Sequence, residues 1–210
     1  MKKHAGAAAL LLALLAPATA FSAPVINEFA VDIPLDGGGF VSYTRSYVLS
    51  PYMDVGVTVG GGVIEREFDL TYAGLGDVDY ETEATVVPFI GPRIGLHYQF
   101  IGISFGYGVF YADTDITARD QSGTIYKGSE KGWGTGFYAP LLVIDFYNTS
   151  KDMYLGLGLG GFLGANYPDL VATNGNTRLV TDESPIDGLT VTFRMKFFEG
   201  RAANATQSDL

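Results

Sequence analysis

Between Tyr154 and Gly164 the chain reads YLGLGLGGFLG. Leu155, Leu157, Leu159 and Leu163 share one parity, and Tyr154, Gly156, Gly158, Gly160, Phe162 and Gly164 share the other. A two-residue period belongs to a strand, whose successive side chains point to opposite faces. One face of this strand is greasy and the other is nearly bare. The stretch also holds Gly156, Gly158 and Gly161 in the G-x-G-x-x-G spacing of dinucleotide-binding loops. That fingerprint needs a strand ending at its first glycine and a helix opening near its last. Here the glycines lie inside the strand and run into Ala165-Asn166-Tyr167-Pro168, a loop signal, so the match comes from the two-residue pattern alone.

Other segments repeat the arrangement. Over 188–198, Leu189, Val191, Phe193, Met195 and Phe197 alternate with Thr190, Thr192, Arg194 and Lys196. Over 52–60, Met53, Val55, Val57 and Val59 alternate with Tyr52, Asp54, Gly56, Thr58 and Gly60. Together with turn signals these patterns predict strands at about 25–33, 40–49, 52–65, 85–98, 100–112, 134–147, 153–165 and 188–198. The connections at 49–52, 98–100 and 148–152 are tight. Those at 68–83, 113–132 and 166–187 are long, polar and acidic, and are expected as loops. An even number of antiparallel strands, with tight turns at one end and long connections at the other, predicts an all-β, eight-stranded up-and-down barrel.

The side-chain faces then separate two kinds of barrel. In a soluble one the greasy faces turn inward and leave an exterior coated with glycine. In a membrane-embedded one they turn outward, and the small residues sit in a narrow lumen. The 28 glycines, spread through the chain, favour the second. Aromatic residues gather at strand ends, with Tyr47, Tyr52, Tyr98, Phe100 and Phe146 near the tight turns and Trp133 and Tyr167 near the long connections. This placement predicts girdles at two membrane–water interfaces. The opening MKKHAGAAALLLALLAPATA has a basic start, an apolar run and a small-residue ending, as expected for a secretory signal cleaved after Ala20. The domain reading is therefore a signal over 1–20, a barrel over 21–198 and a disordered polar tail over 199–210. Removing Lys2 and Lys3 leaves 11 basic against 23 acidic side chains, a balance that repels nucleic acid.

On these features the chain resembles the small eight-stranded outer-membrane barrels, the group holding the membrane domain of outer membrane protein A and outer membrane proteins X and W. The resemblance spans residues 1–198 and is architectural. It implies location in the bacterial outer membrane after export, with lipid and lipopolysaccharide around the barrel. It also implies contact with the barrel-assembly machinery, which in this group reads a terminal aromatic. Here Phe198 is followed by EGRAANATQSDL, so FRMKFF (193–198) would have to serve internally.

The lumen is expected to hold Asp54, Arg93, His97, Asp145, Arg194 and Lys196 as an ion-pair network, with Asp54 and Asp145 balancing the cations. Such a network plugs a narrow barrel, since buried charges must pair. Arg45 could face either way. DVDYETE places Asp77, Asp79, Glu81 and Glu83 at alternate positions, a candidate for a divalent cation against the plainer reading of a solvated acidic loop. No catalytic residue, resident metal or cofactor is expected, because His97 is the one histidine after the signal and Ser104 sits further up the barrel. The expected function is a non-enzymatic outer-membrane barrel whose acidic loops serve surface contact, adhesion or envelope integrity. A channel for small or hydrophobic solutes is the alternative. A lipid-modifying enzyme and a soluble secreted barrel are less favoured, and the surface partner is open.

Overall fold

The computed structural model describes residues 24–98, 100–139, 142–148 and 153–199. The expected signal and the tail after Glu199 lie outside these residues. Eleven strands follow in order: β1 (Val25–Pro34), β2 (Gly38–Ser50), β3 (Met53–Tyr72), β4 (Gly76–Tyr98), β5 (Ile101–Asp120), β6 (Ile125–Tyr138), β7 (Leu142–Asn148), β8 (Met153–Asn166), β9 (Leu170–Asn174), β10 (Thr177–Thr181) and β11 (Gly188–Glu199). Every pairing among them is antiparallel. β1 pairs with β2 on one side and with β11 on the other, which closes the sheet. β6 and β7 share one position in the ring, since both lie between β5 and β8. The chain is an all-β, eight-stranded antiparallel barrel.

Strand length divides this barrel into two storeys. β3, β4 and β5 run for 20, 23 and 20 residues. The other strands of the ring run for 7 to 14 residues. The excess rises as a sheet at the end away from Val25, Glu199 and the tight turn at Pro51–Tyr52. Residues 68–83 and 113–132, expected as loops, are thus mostly strand, and 166–187 contains the β9–β10 hairpin. Their period-2 pattern is present in the sequence but built from polar residues. Val78, Tyr80, Thr82, Ala84 and Val86 are buried on one face of β4, while Asp77, Asp79, Glu81 and Glu83 are exposed on the other. Gly74 and Gly76, with φ of 88° and 76°, carry the chain round the β3–β4 tip in a conformation other residues rarely adopt.

The storeys differ in which face is apolar. In the lower one Phe29, Val31, Ile94, Leu96, Phe105, Leu155, Leu157, Leu159 and Phe193 are exposed on the outer wall, and the inner wall is polar. In the upper one the interior is apolar, built on Ile64, Val78, Tyr80, Ile116, Tyr126, Leu170 and Leu179. β4 passes between them through a bulge. Gly60 pairs with Phe89 and Gly62 with Val86 on one side; Val86 pairs with Ala112 and Phe89 with Phe110 on the other. The extra residue at Val87–Pro88 is therefore unmatched on both neighbours, and it exchanges the parities of β4. Even-numbered residues face inward up to Val86 and odd-numbered ones from Phe89 onward.

Candidate functional site

The lower lumen is filled by side chains from five ring positions. Arg93 of β4 and Arg194 and Lys196 of β11 converge on Glu28 of β1, with nitrogen-to-Oε2 distances of 3.1, 3.7 and 3.7 Å. Asp145 of β7 takes a two-pronged contact from Arg194, Nε to Oδ1 at 2.9 Å and NH2 to Oδ2 at 2.7 Å, and a third from Lys196 at 2.9 Å. The charged side chains of these five residues are at most 8% exposed. Buried charges persist only when paired, and every charge here has an oppositely charged partner, although Arg93 Nε and Arg194 NH1 are left without a hydrogen bond. Asp54 of β3 is bonded to His97 Nε2 nearer the terminal end. Further in, Asp32 of β1 accepts hydrogen bonds from Tyr138 (2.7 Å) and Thr192 (2.6 Å).

Asp54, Arg93, Asp145, Arg194 and Lys196 thus lie in one lumen, with His97 half-buried at its mouth. Asp145 meets Arg194 and Lys196, and the partners of Arg93 and Asp54 are the ones that differ from the sequence reading. Arg93 pairs with Glu28, and Asp54 with His97. Glu28 was missed, although Glu28, Ala30 and Asp32 alternate with Phe29, Val31 and Ile33 in the way that marks an inner face. Glycines set the room for the cluster. A Cβ on Gly156 would stand 2.7 Å from Arg194 Cγ and 2.8 Å from Val143 Cγ1, and would also strike Asp145 Oδ1. Gly156→Val should separate Asp145 from Arg194 and lower the barrel's stability by about 1–3 kcal/mol. The urea midpoint in detergent measures this, and an unmoved midpoint would refute the space-making role.

Above the charges the lumen is crossed by rings. Phe40, Phe89, Tyr138 and Phe162 touch in all six combinations, with centroids from 4.9 Å (Phe40–Phe162) to 6.2 Å (Phe40–Phe89 and Phe89–Phe162). All four are buried, at 2% exposure or less. Neighbouring glycines again make the space, for a Cβ on Gly60 would come within 2.6 Å of the Phe40 ring and one on Gly108 within 2.7 Å of Phe89. Phe110 and Tyr167 stack just beyond this layer, 6.0 Å apart and 13° from parallel.

Outside, Tyr52, Tyr98, Phe100 and Phe146 are exposed near the tight-turn end, and Trp133 is exposed at the other, edge-on to Tyr111 at 5.5 Å. Two of the seven expected girdle residues depart from this. Tyr167 turns inward and donates its hydroxyl to the carbonyls of Ala112 (2.9 Å) and Glu130 (3.0 Å), so the upper apolar interior claims it. Tyr47 is 6% exposed, packed in the wall rather than presented at the rim. Ser104 Oγ is buried without a hydrogen-bond partner and His97 is engaged by Asp54, so these two do not form a nucleophile–base pair.

Asp77, Asp79, Glu81 and Glu83 share one exposed face, but as a row rather than a cage. Among the described residues no group of three or more His, Asp or Glu is placed to hold a metal ion. The row stands opposite other acids, Asp79 facing Asp69, Glu81 facing Glu67 and Glu83 facing Glu65. Like charges placed directly across strands destabilise a sheet. Raising ionic strength from about 0.01 to 0.15 M shortens the screening length from about 30 to 8 Å. Amide exchange in 65–83 should therefore slow with added salt, and exchange that is indifferent to salt would contradict mutual repulsion.

No protein-family model matches the chain, and neither does any curated protein. Among solved structures the chain is similar to a major outer membrane protein from Thermus thermophilus, at 12% identity and a TM-score of 0.39, over 84% of this chain and 99% of that one. It is also similar to Ail, the attachment invasion locus protein of Yersinia pestis, at 10% identity and a TM-score of 0.30, over 83% and 93% of the two chains.

Proposed function

We propose that this chain is a non-enzymatic integral protein of the bacterial outer membrane. In this reading the lower storey is its anchor and the upper storey an acidic head presented outside the cell. One observation carries the reading: the lower barrel is apolar without, charged within, and sealed across its lumen by four packed rings. A soluble barrel would leave Phe29, Leu157 and Phe193, each 47–50% exposed, in water. The same inversion gives the upper storey the surface of a water-soluble sheet. With the lumen closed, the exposed head is the part available for surface contact, adhesion or envelope integrity. A channel would need the aromatic layer to part.

Fractionation tests location. The protein should leave the outer-membrane fraction only with detergent, and release by salt alone would end the proposal. Planar bilayers test the seal, where a reproducible open state of the unaltered protein would replace the plugged reading with the channel. Trp133, the sole tryptophan and 64% exposed on the outer wall, gives a third measure. Its emission should shift to the blue in vesicles and be quenched by brominated acyl chains. Quenching by aqueous iodide instead would take the upper rim out of the bilayer.

A further inference from the structure

Between its aromatic rims the outer wall carries one charged side chain among the described residues. β2 buries Phe40, Ser42, Thr44 and Ser46 on its inner face, which places Tyr43 and Arg45 on the outer one. Arg45 stands opposite Asn27 of β1 and Val57 of β3, and Asn27 lies opposite Phe197 of β11. The position is on the side of the belt nearer the chain termini. An arginine on such a surface must find an anion or reach the interface with its long stem.

The local hydrogen bonds say which groups remain free. Tyr43 donates its hydroxyl to Asn27 Oδ1 at 2.6 Å, and Arg45 NH1 donates to the same oxygen at 3.2 Å. Two donors on one amide oxygen fix the orientation of the amide, so Asn27 Nδ2 is turned away from them with both N–H bonds to give. No acceptor among the described residues takes it. Arg45 NH2 reaches Glu199 Oε2 at 3.1 Å, and Arg45 Nε is buried without a partner. The Glu199 side chain is 52% exposed against 19% for Arg45, so the carboxylate sits at the rim and the guanidinium within the wall. What the cluster leaves over for an outside ligand is the pair of N–H bonds on Asn27 Nδ2, on a face otherwise apolar, since Arg45 Nε is enclosed.

We infer that Asn27 and Arg45 form a binding site for the phosphodiester of a phospholipid, taken from the leaflet on the side of the chain termini. The phosphate oxygens accept from Asn27 Nδ2 and from the guanidinium. The acyl chains lie along the neighbouring apolar wall. Glu199 holds Arg45 when the site is empty and competes with the lipid, because both are anions seeking one cation.

This site rests on the membrane reading above, and one preparation tests the two separately. The full barrel is mixed with vesicles of phosphatidylcholine containing phosphatidylglycerol and floated on a gradient. A barrel that stays at the bottom overturns the membrane reading and the site with it. The floated protein is then examined by native mass spectrometry beside a second sample in which diacylglycerol of the same chains replaces phosphatidylglycerol. The unaltered barrel should keep one phosphatidylglycerol at activation energies that strip diacylglycerol. Asn27→Leu and Arg45→Leu should each lower its retention by at least about tenfold, as expected for losing a hydrogen bond to a charged group. Glu199→Gln should raise retention by removing the competitor. Equal retention of the two lipids overturns the site alone, as does unchanged phosphatidylglycerol retention in Asn27→Leu. Should Arg45→Leu fail to fold, Asn27→Leu keeps every one of these outcomes readable.

Discussion

Glu28→Gln should cost the folded barrel about 3–5 kcal/mol, the usual range for breaking a buried ion pair by removing one partner. Among the described residues, Glu28 is the only carboxylate that meets Arg93, Arg194 and Lys196 together. Glutamine keeps its shape and removes the charge. Asp145 would still serve Arg194 and Lys196, but Arg93 would be buried with no described carboxylate in contact. The penalty comes from the uncompensated guanidinium rather than from a lost attraction. A second substitution separates these: Glu28→Gln with Arg93→Met should recover much of the loss, since it withdraws the orphaned charge as well. Urea titration in detergent measures both. A single-mutant change below about 1 kcal/mol would mean that water reaches Arg93 and the cluster is less sealed than its burial implies.

Phe40→Ala should have a comparable effect on stability, about 3–5 kcal/mol, and a second effect on permeability. Phe40 is fully buried and touches Phe89, Tyr138 and Phe162 at once, so its ring is the hub of the layer that closes the lumen. Gly60 and Gly62 line the same spot with no side chain to fill the hole. The expected result is a conductance in planar bilayers, where the plugged reading expects none from the unaltered protein. If Phe40→Ala with Phe162→Ala still passes no current in a barrel that has kept its circular dichroism, the seal lies in the apolar interior of the head instead.

Much of the lower storey is legible in the sequence. The alternation of leucine with glycine in 153–165 and of valine with aspartate, glycine and threonine in 52–60 marks an apolar outer wall and little room inside. Charge marks most of the residues that turn inward, Arg93, Arg194 and Lys196 among them, with Arg45 the exception. Aromatics give no such signal. Phe40 and Phe29 are both phenylalanines on the neighbouring strands β2 and β1, yet one is buried in the lumen and the other is half-exposed on the wall. Tyr167 was misplaced for the same reason. Polarity hid the upper storey, since DVDYETE reads as a loop by composition and as a strand only by its alternation with Val78 and Tyr80. Glu28 escaped because its strand is short and ends at Pro34, which weakens the alternation as a signal. Arg45 was open in the sequence, and only the register of β2 against β1 places it outside.

The bulge at Val87–Pro88 acts as a frameshift between two storeys of opposite facing. Below it the odd-numbered residues of β4 must tolerate a cramped interior, and above it they must tolerate water. Removing Pro88 would restore a single frame through the whole strand. Either Arg93 would then point onto the apolar outer wall, or Asp77, Asp79, Glu81 and Glu83 would point into the apolar heart of the upper storey. Neither arrangement can be satisfied by moving side chains. The unmatched residue therefore lets one continuous strand carry two hydropathy codes of opposite sense, and each code can be rewritten on its own side of the bulge without disturbing the other.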